Sequence, residues 1–301
     1  MRIVQEQGDG QRVDNYLLKL LKGVPQSRIY KAIRSGEVRV NSSRVKVSHK
    51  LKEGDRIRIP PLRMGIDKAV VIPPKLLKSL PVLYEDDDLL IIDKPCGLAV
   101  HSGTDIAFGV IEALRELRVD LSYIELAHRL DRETSGCLML AKTRPSLLAL
   151  QQQLNQPNLM EKSYLVLVRG RLEADGRIID IPIARQDVAG STRMTIDFKG
   201  KRAKSAVSTI TCFQQSTLIK VILYTGRTHQ VRVHCAAIGY PVAGDNTYGD
   251  KEFNQAMRKT GLGRLFLHAS ELTLAHPMRQ ERLKIKSELP RQLVKVIENQ
   301  I

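Results

Sequence analysis

Residues 128 to 142 read HRLDRETSGCLMLAK. The first half is charged, with Asp131 set between Arg129 and Arg132, and the second half is apolar from Gly136 onward. A short apolar run bounded by a glycine turn reads as a strand buried on both faces. The polar loop before it is the kind of segment on which a rigid scaffold carries reactive groups. A carboxylate between guanidiniums is either a working acid or one half of a structural ion pair, and residues 128 to 136 alone leave both readings open.

Outward from this stretch the texture is mixed. Upstream, VLYEDDDLLIIDKP predicts two apolar strands around an acidic turn, and the EDDD run at 85–88 is read as solvated, not as a magnesium site. Downstream, RPSLLALQQQL predicts a helix, while SYLVLVRG and TLIKVILYTG predict further buried strands. In THQVRVHCAAIG, Val231, Cys235 and Ile238 recur at helical spacing, with Thr228 as N-cap and Gly239 as the stop. Strands and helices that do not strictly alternate indicate an α+β domain, expected over residues 82–301.

The N-terminal part is a smaller unit. RVDNYLLKLLKG predicts a helix closed by Gly23, and PQSRIYKAIRSG a second, with Pro25 in its first turn and Gly36 after its end. Arg28, Lys31 and Arg34 then share an exposed face. EVRVN, SSRVKVSHKL and KEGDRIRIP supply short extended pieces, the last entered by a turn at Gly54-Asp55. The unit is expected to span 1–60, and the proline-rich stretch 61–81 to be a linker.

The bulk numbers narrow the function. At 301 residues, 43% hydrophobic and 27% charged, the chain suits a globular protein of two domains. No run approaches the roughly 18 apolar residues of a membrane helix, and MRIVQEQGDGQR lacks the apolar centre of a secretory signal, so the cytoplasm is the expected location. Four scattered cysteines offer no zinc or redox-pair spacing and are read as reduced thiols. A net charge of +16 favours a polyanion, nucleic acid first. The excess is concentrated at the front, where residues 1–63 hold 15 Lys and Arg against 6 Asp and Glu.

Residues 12–59 resemble the S4 RNA-binding domain, through RVDNYL, SRIYKAIRSGEVRVN, Ser48 and LKEGDRI. The resemblance implies that Arg12, Arg28, Lys31, Arg34 and Arg39 face RNA phosphates. The larger part resembles the RluA-type pseudouridine synthases, through HRLDRETSG (128–136), KSYLVLVRG (162–170), TGRTHQVRVH (225–234), GYPVAGDNTYG (239–249) and RLFLHA (264–269). The segment from Tyr248 to Pro277 is most similar to the RluC-type subgroup, which acts on large-subunit ribosomal RNA. Cys137, Met139 and Val231 are mild departures from the pattern.

That resemblance implies an isomerase: the N1 glycosidic bond of a uridine breaks, the uracil turns over, and C5 bonds to C1′. No cofactor and no metal are expected, and the histidines at 128, 229, 234 and 268 lack metal-ligand spacing. Asp131 is the implied catalytic residue, as nucleophile at the sugar or as the base that takes a sugar proton. Arg227, at a strand end, is expected to pair with Asp131, Tyr164 to stack on the uracil, and Arg129 to fill the space left by a flipped nucleotide. Arg132 is expected at the surface or on a phosphate. The expected partner is large-subunit rRNA or a precursor particle, met by a monomer away from any membrane. An RNA chaperone with an idle catalytic-like domain and a metal-dependent nuclease are the rivals.

Overall fold

The computed structural model describes residues 1–21, 24, 26–62, 80–102, 108–156, 159–188 and 191–300. It divides into two compact units, Met1–Val71 and Ile72–Ile301. Gly23, Pro25 and most of the expected linker, residues 63–79, lie outside the described residues.

In the first unit, β1 (Arg2–Ile3), β2 (Arg39–Val40), β3 (Ser43–Arg44) and β4 (Arg56–Arg58) form a four-stranded antiparallel sheet in the order β1-β4-β2-β3. Helices α1 (Val13–Leu20) and α2 (Gln26–Arg34) pack with it. The helical stripes foreseen from spacing make the core: Val13, Leu17, Ile29, Ala32 and Ile33 are buried with Val38, Val40, Leu51 and Ile57. The polar faces are thereby left to solvent.

The second unit is built on a ten-stranded mixed sheet. Its main path uses β5 (Val82–Glu85), β6 (Leu89–Lys94), β8 (Ser135–Ala141), β9 (Met160–Arg169), β10 (Arg177–Asp180), β13 (Lys204–Cys212), β14 (Ser216–Leu223) and β15 (Leu267–Ala275). The order is β10-β13-β14-β9-β15-β8-β6-β5, with β16 (Arg282–Lys286) on β15 and β7 (Glu125–Leu126) on β8. Among the described residues only the β15–β8 pairing is parallel. A separate hairpin is formed by β11 (Ile183–Val188) and β12 (Ser191–Ile196). The helices are α3 (Val110–Leu117), α4 (Arg144–Leu154), α5 (Gln230–Ala237), α6 (Lys251–Lys259) and α7 (Arg291–Glu298).

Every residue of β8 is buried, as an apolar strand inside a sheet covered on both faces should be. Leu138 and Leu140 enter the cluster with Tyr164, Val166, Val221 and Leu267. Cys137, Met139 and Ala141 enter the opposite one with Leu147, Leu150, Leu272 and Leu274. Alternation along one strand thus joins two cores.

Two expectations need correction. The EDDD turn is not simply solvated. Asp86 accepts hydrogen bonds from the Tyr84 hydroxyl at 2.7 Å, the backbone N–H groups of Asp88 and Leu89 at 2.9 and 2.8 Å, and shares one with His276 Nε2 at 2.7 Å. The second concerns helix α5. Thr228 is not its N-cap, because the helix opens at Gln230 and His229 takes the cap position with a left-handed φ of 56°.

Candidate active site

Asp131 lies in the loop between β7 and β8, and the geometry of that loop is fixed from both ends. At Gly136 φ is +110°, and a Cβ there would sit 2.2 Å from the carbonyl oxygen of Ala269 on β15. Only glycine permits this close parallel pairing. On the other side, Lys94, with no exposed surface, donates from Nζ to the carbonyls of Pro95 (2.8 Å), Leu98 (2.7 Å) and Arg132 (3.1 Å). Arg132 Nε donates to the Gly97 carbonyl at 3.1 Å. Arg132 therefore braces the reactive loop, a role that its exposed setting in the sequence did not suggest.

The Asp131 carboxylate lines a cleft of about 460 Å³ together with Arg129, Leu130, Lys162, Tyr164, Leu223, Arg227 and Val231. The predicted catalytic-domain residues Asp131, Arg227, Tyr164 and Arg129 are thus brought to one cavity from three segments. Its size and half-apolar wall suit a nucleoside-sized ligand. Tyr164 is 6% exposed. Burial, with the Asp131 charge adding to it, pushes its hydroxyl well above the usual tyrosine range, so the phenol is neutral at physiological pH.

The guanidinium on Asp131 is not the expected one. Arg232, on the first turn of α5, places Nη1 3.8 Å from Asp131 Oδ2, whereas Arg227 Nε donates to the Arg202 carbonyl at 3.0 Å. The reason lies in the turn before the helix. Gln230 accepts from the Thr225 hydroxyl at 2.7 Å and from the Arg227 N–H at 3.0 Å, and donates to the Lys204 carbonyl and Ser205 Oγ, both at 3.0 Å. That clasp fixes the turn with Arg227 exposed and sends the next helical turn, with Arg232, inward.

Arg232 is itself held. Its Nε and Nη2 donate to Asp245 Oδ2 and Oδ1 at 2.7 and 2.8 Å, the fork geometry of a bidentate pair. Its Cζ lies 5.0 Å from the centre of the Tyr248 ring. Asp245 also accepts from the N–H groups of Thr247 and Tyr248 at 2.8 and 3.0 Å. Burial alone would raise its pKa, but Arg232 and these N–H donors bring it below the ordinary carboxylate value. Tyr248 is anchored in turn by the Met194 N–H and His229 Nδ1, at 3.0 and 2.8 Å. The result is a buried relay, Asp245 to Arg232 to Asp131, that orients a carboxylate at the cleft.

Arg232, Asp245, Gln230, Tyr248 and Lys162 escaped the sequence reading. TGRTHQVRVH contains two arginines, and the turn held by Gln230, with its left-handed His229, decides which one faces inward. The histidines are spoken for: His128 Nε2 accepts from the Met139 N–H (3.1 Å), His234 meets Ser205 and Ile181, and His268 meets Ser135 and Ser287.

A mixed sheet bearing one oriented carboxylate beside a tyrosine ring, on a chain that also carries a basic unit, fits an enzyme that modifies RNA. The chain belongs to the RNA pseudouridylate synthase family: residues 88–237 match the model of that family and residues 11–57 match the S4 domain. It is 42% identical over 302 residues, 99% of this chain and 92% of the other, to the ribosomal large subunit pseudouridine synthase C of Pasteurella multocida (strain Pm70). To the protein of the same name from Escherichia coli (strain K12) it is 42% identical over 285 residues, 92% and 89% of the two chains. Among solved structures it resembles human RNA pseudouridylate synthase domain containing 4, with a TM-score of 0.61, 26% identity, and coverage of 75% of this chain and 95% of the other.

Proposed function

We propose that this chain isomerises uridines to pseudouridine in large-subunit ribosomal RNA, with Asp131 as the catalytic residue. The observation that carries the reading is the Asp131 carboxylate, buried enough to be oriented by Arg232 yet open to a cleft faced by Tyr164. The reaction detaches a uracil and must keep both it and the sugar from water, which favours a cleft with an apolar wall around the reacting carboxylate. Tyr164 stacks on the base as a neutral ring, and Leu223, Val231 and Leu267 complete the wall. Asp131 serves the sugar as nucleophile or as base. Arg129 and Arg227 are both exposed at the cleft. Arg129 fills the space left by the extruded nucleotide, and Arg227 meets an RNA phosphate instead of the catalytic acid.

The basic first unit contributes affinity. Lys31 and Arg34 are exposed on α2, and neither has a carboxylate within ion-pair distance among the described residues. Arg12 and Arg28 are tied to Asp14 at 2.6 Å and Glu37 at 2.8 Å. Arg39 donates to the carbonyls of Gly36 and Ser42. Of these five residues, Lys31 and Arg34 are therefore the ones that meet RNA phosphates most directly. The protein works as a monomer in the cytoplasm, where its substrate is made.

Tritium release from RNA labelled at uracil C5 tests the reading. Large-subunit transcripts should release it and small-subunit transcripts should not. No release from either, or equal release from both, would contradict the assignment.

A further inference from the structure

The cleft contains a charged side chain that the chemistry above does not use. Lys162 stands on β9 two residues before Tyr164, is 6% exposed, and lines the same cavity. Among the described residues it has no hydrogen-bond or ion-pair partner. Lys94 shows how this fold buries an ammonium for structural purposes, with three backbone carbonyls around Nζ. Lys162 has no such nest, and an unpaired ammonium out of water is costly. Burial lowers its pKa to about 8, and its charge adds to the burial that presses His128 down to about 3. The ammonium sits against the Thr225–Arg227 turn, since a methyl built on Gly226 would lie 3.9 Å from Nζ.

Residues two apart on a strand share a face about 7 Å from each other. A uracil stacked on Tyr164 over Asp131 therefore has Lys162 roughly one backbone step away, on the side of the 225–227 turn. Among the described residues no carboxylate on that side neutralises it, and RNA supplies an anion at that interval. We propose that Lys162 is a phosphate-binding residue of the cleft, taking an internucleotide phosphate beside the extruded uridine and so fixing the nucleotide over Asp131. The inference rests on the synthase reading and adds to it a subsite.

The test uses the full chain, the Lys162→Met and Lys162→Arg variants, and a large-subunit rRNA transcript. Dissociation constants are measured by filter binding over a KCl series, with tritium release followed in parallel, so that the salt slope reports on Lys162 and the release on the synthase reading. A lost phosphate contact lowers the slope of log Kd against log [KCl] by about 0.7 to 0.9. Lys162→Met should show that loss with an affinity about tenfold weaker, and Lys162→Arg should restore the slope. Because removing an unpaired buried charge relieves the fold, the thermal midpoint of Lys162→Met should be unchanged or higher. A wild-type slope in Lys162→Met, whether or not affinity falls, would mean a contact to a neutral base edge or none, and would overturn the proposal. So would a Lys162→Met chain that unfolds or melts earlier, which would make the lysine a structural residue.

Discussion

At the residue scale, the two arginines of TGRTHQVRVH separate by what they leave behind when removed. Arg232→Met would strand the buried Asp245 carboxylate and loosen Asp131, a loss of about 3 to 5 kcal/mol for breaking one side of a buried pair. Arg227→Met removes an exposed side chain bonded to one carbonyl and should stay within about 0.5 kcal/mol. Urea denaturation of the two variants checks this, and equal losses would mean that the relay through Arg232 is not holding the site. Asp131, Tyr164 and Arg129, which line one cleft, could be singled out in the sequence because each stands in a segment resembling a known family's motif. The pairing was not legible. It depends on a left-handed φ at His229 and on a carboxylate 13 positions beyond Arg232, neither of which leaves a local pattern.

At the element scale, β8 and its neighbours were readable because burial on both faces demands an unbroken apolar run; α4 follows the helix predicted over RPSLLALQQQL, and the structure adds the Thr143 hydroxyl as its N-cap. The strands β7 and β10 and the hairpin β11–β12 were not readable, since alternating polar residues such as ARQDV and STRMT say little without their partners. Gly136→Ala should show how tightly β8 is seated. A methyl 2.2 Å from the Ala269 carbonyl at a φ of +110° forces the strands apart. The expected loss is about 1 to 3 kcal/mol, typical of overpacking, together with reduced activity, because Asp131 is only five residues from this joint along the same chain. A variant as stable and active as wild type would show that the loop is positioned elsewhere. Asp86, at the turn from β5 to β6, gives a pH test. Burial pulls its carboxyl up, but bonds from Tyr84, Asp88, Leu89 and His276 bring it down to about 2. The unfolded value is about 3.9. Its contribution to stability is therefore complete above about pH 4 and fades as pH falls toward 2. Asp86→Asn should be less stable than wild type at pH 7, with the gap closing in acid, and a gap independent of pH would contradict the assignment.

At the scale of the whole molecule, the change of texture around the prolines suggested a small basic unit and a large α+β unit, and the chain divides into Met1–Val71 and Ile72–Ile301. What composition could not tell is which cations are free. Replacing Lys31 and Arg34 together by Gln should lower the salt slope of RNA binding by roughly two counterions' worth. Replacing Arg12 and Arg28 should mainly destabilise the first unit, whose Asp14 is buried against Arg12. Identical slopes for both pairs would contradict that division. The central claim is that one oriented carboxylate performs the isomerisation, and Asp131→Asn tests it most directly. The variant should bind large-subunit rRNA with wild-type affinity while its release of tritium from uracil C5 drops by at least about a hundredfold, the lower range for loss of a catalytic proton-transfer group. Release at the wild-type rate would place the chemistry on another residue.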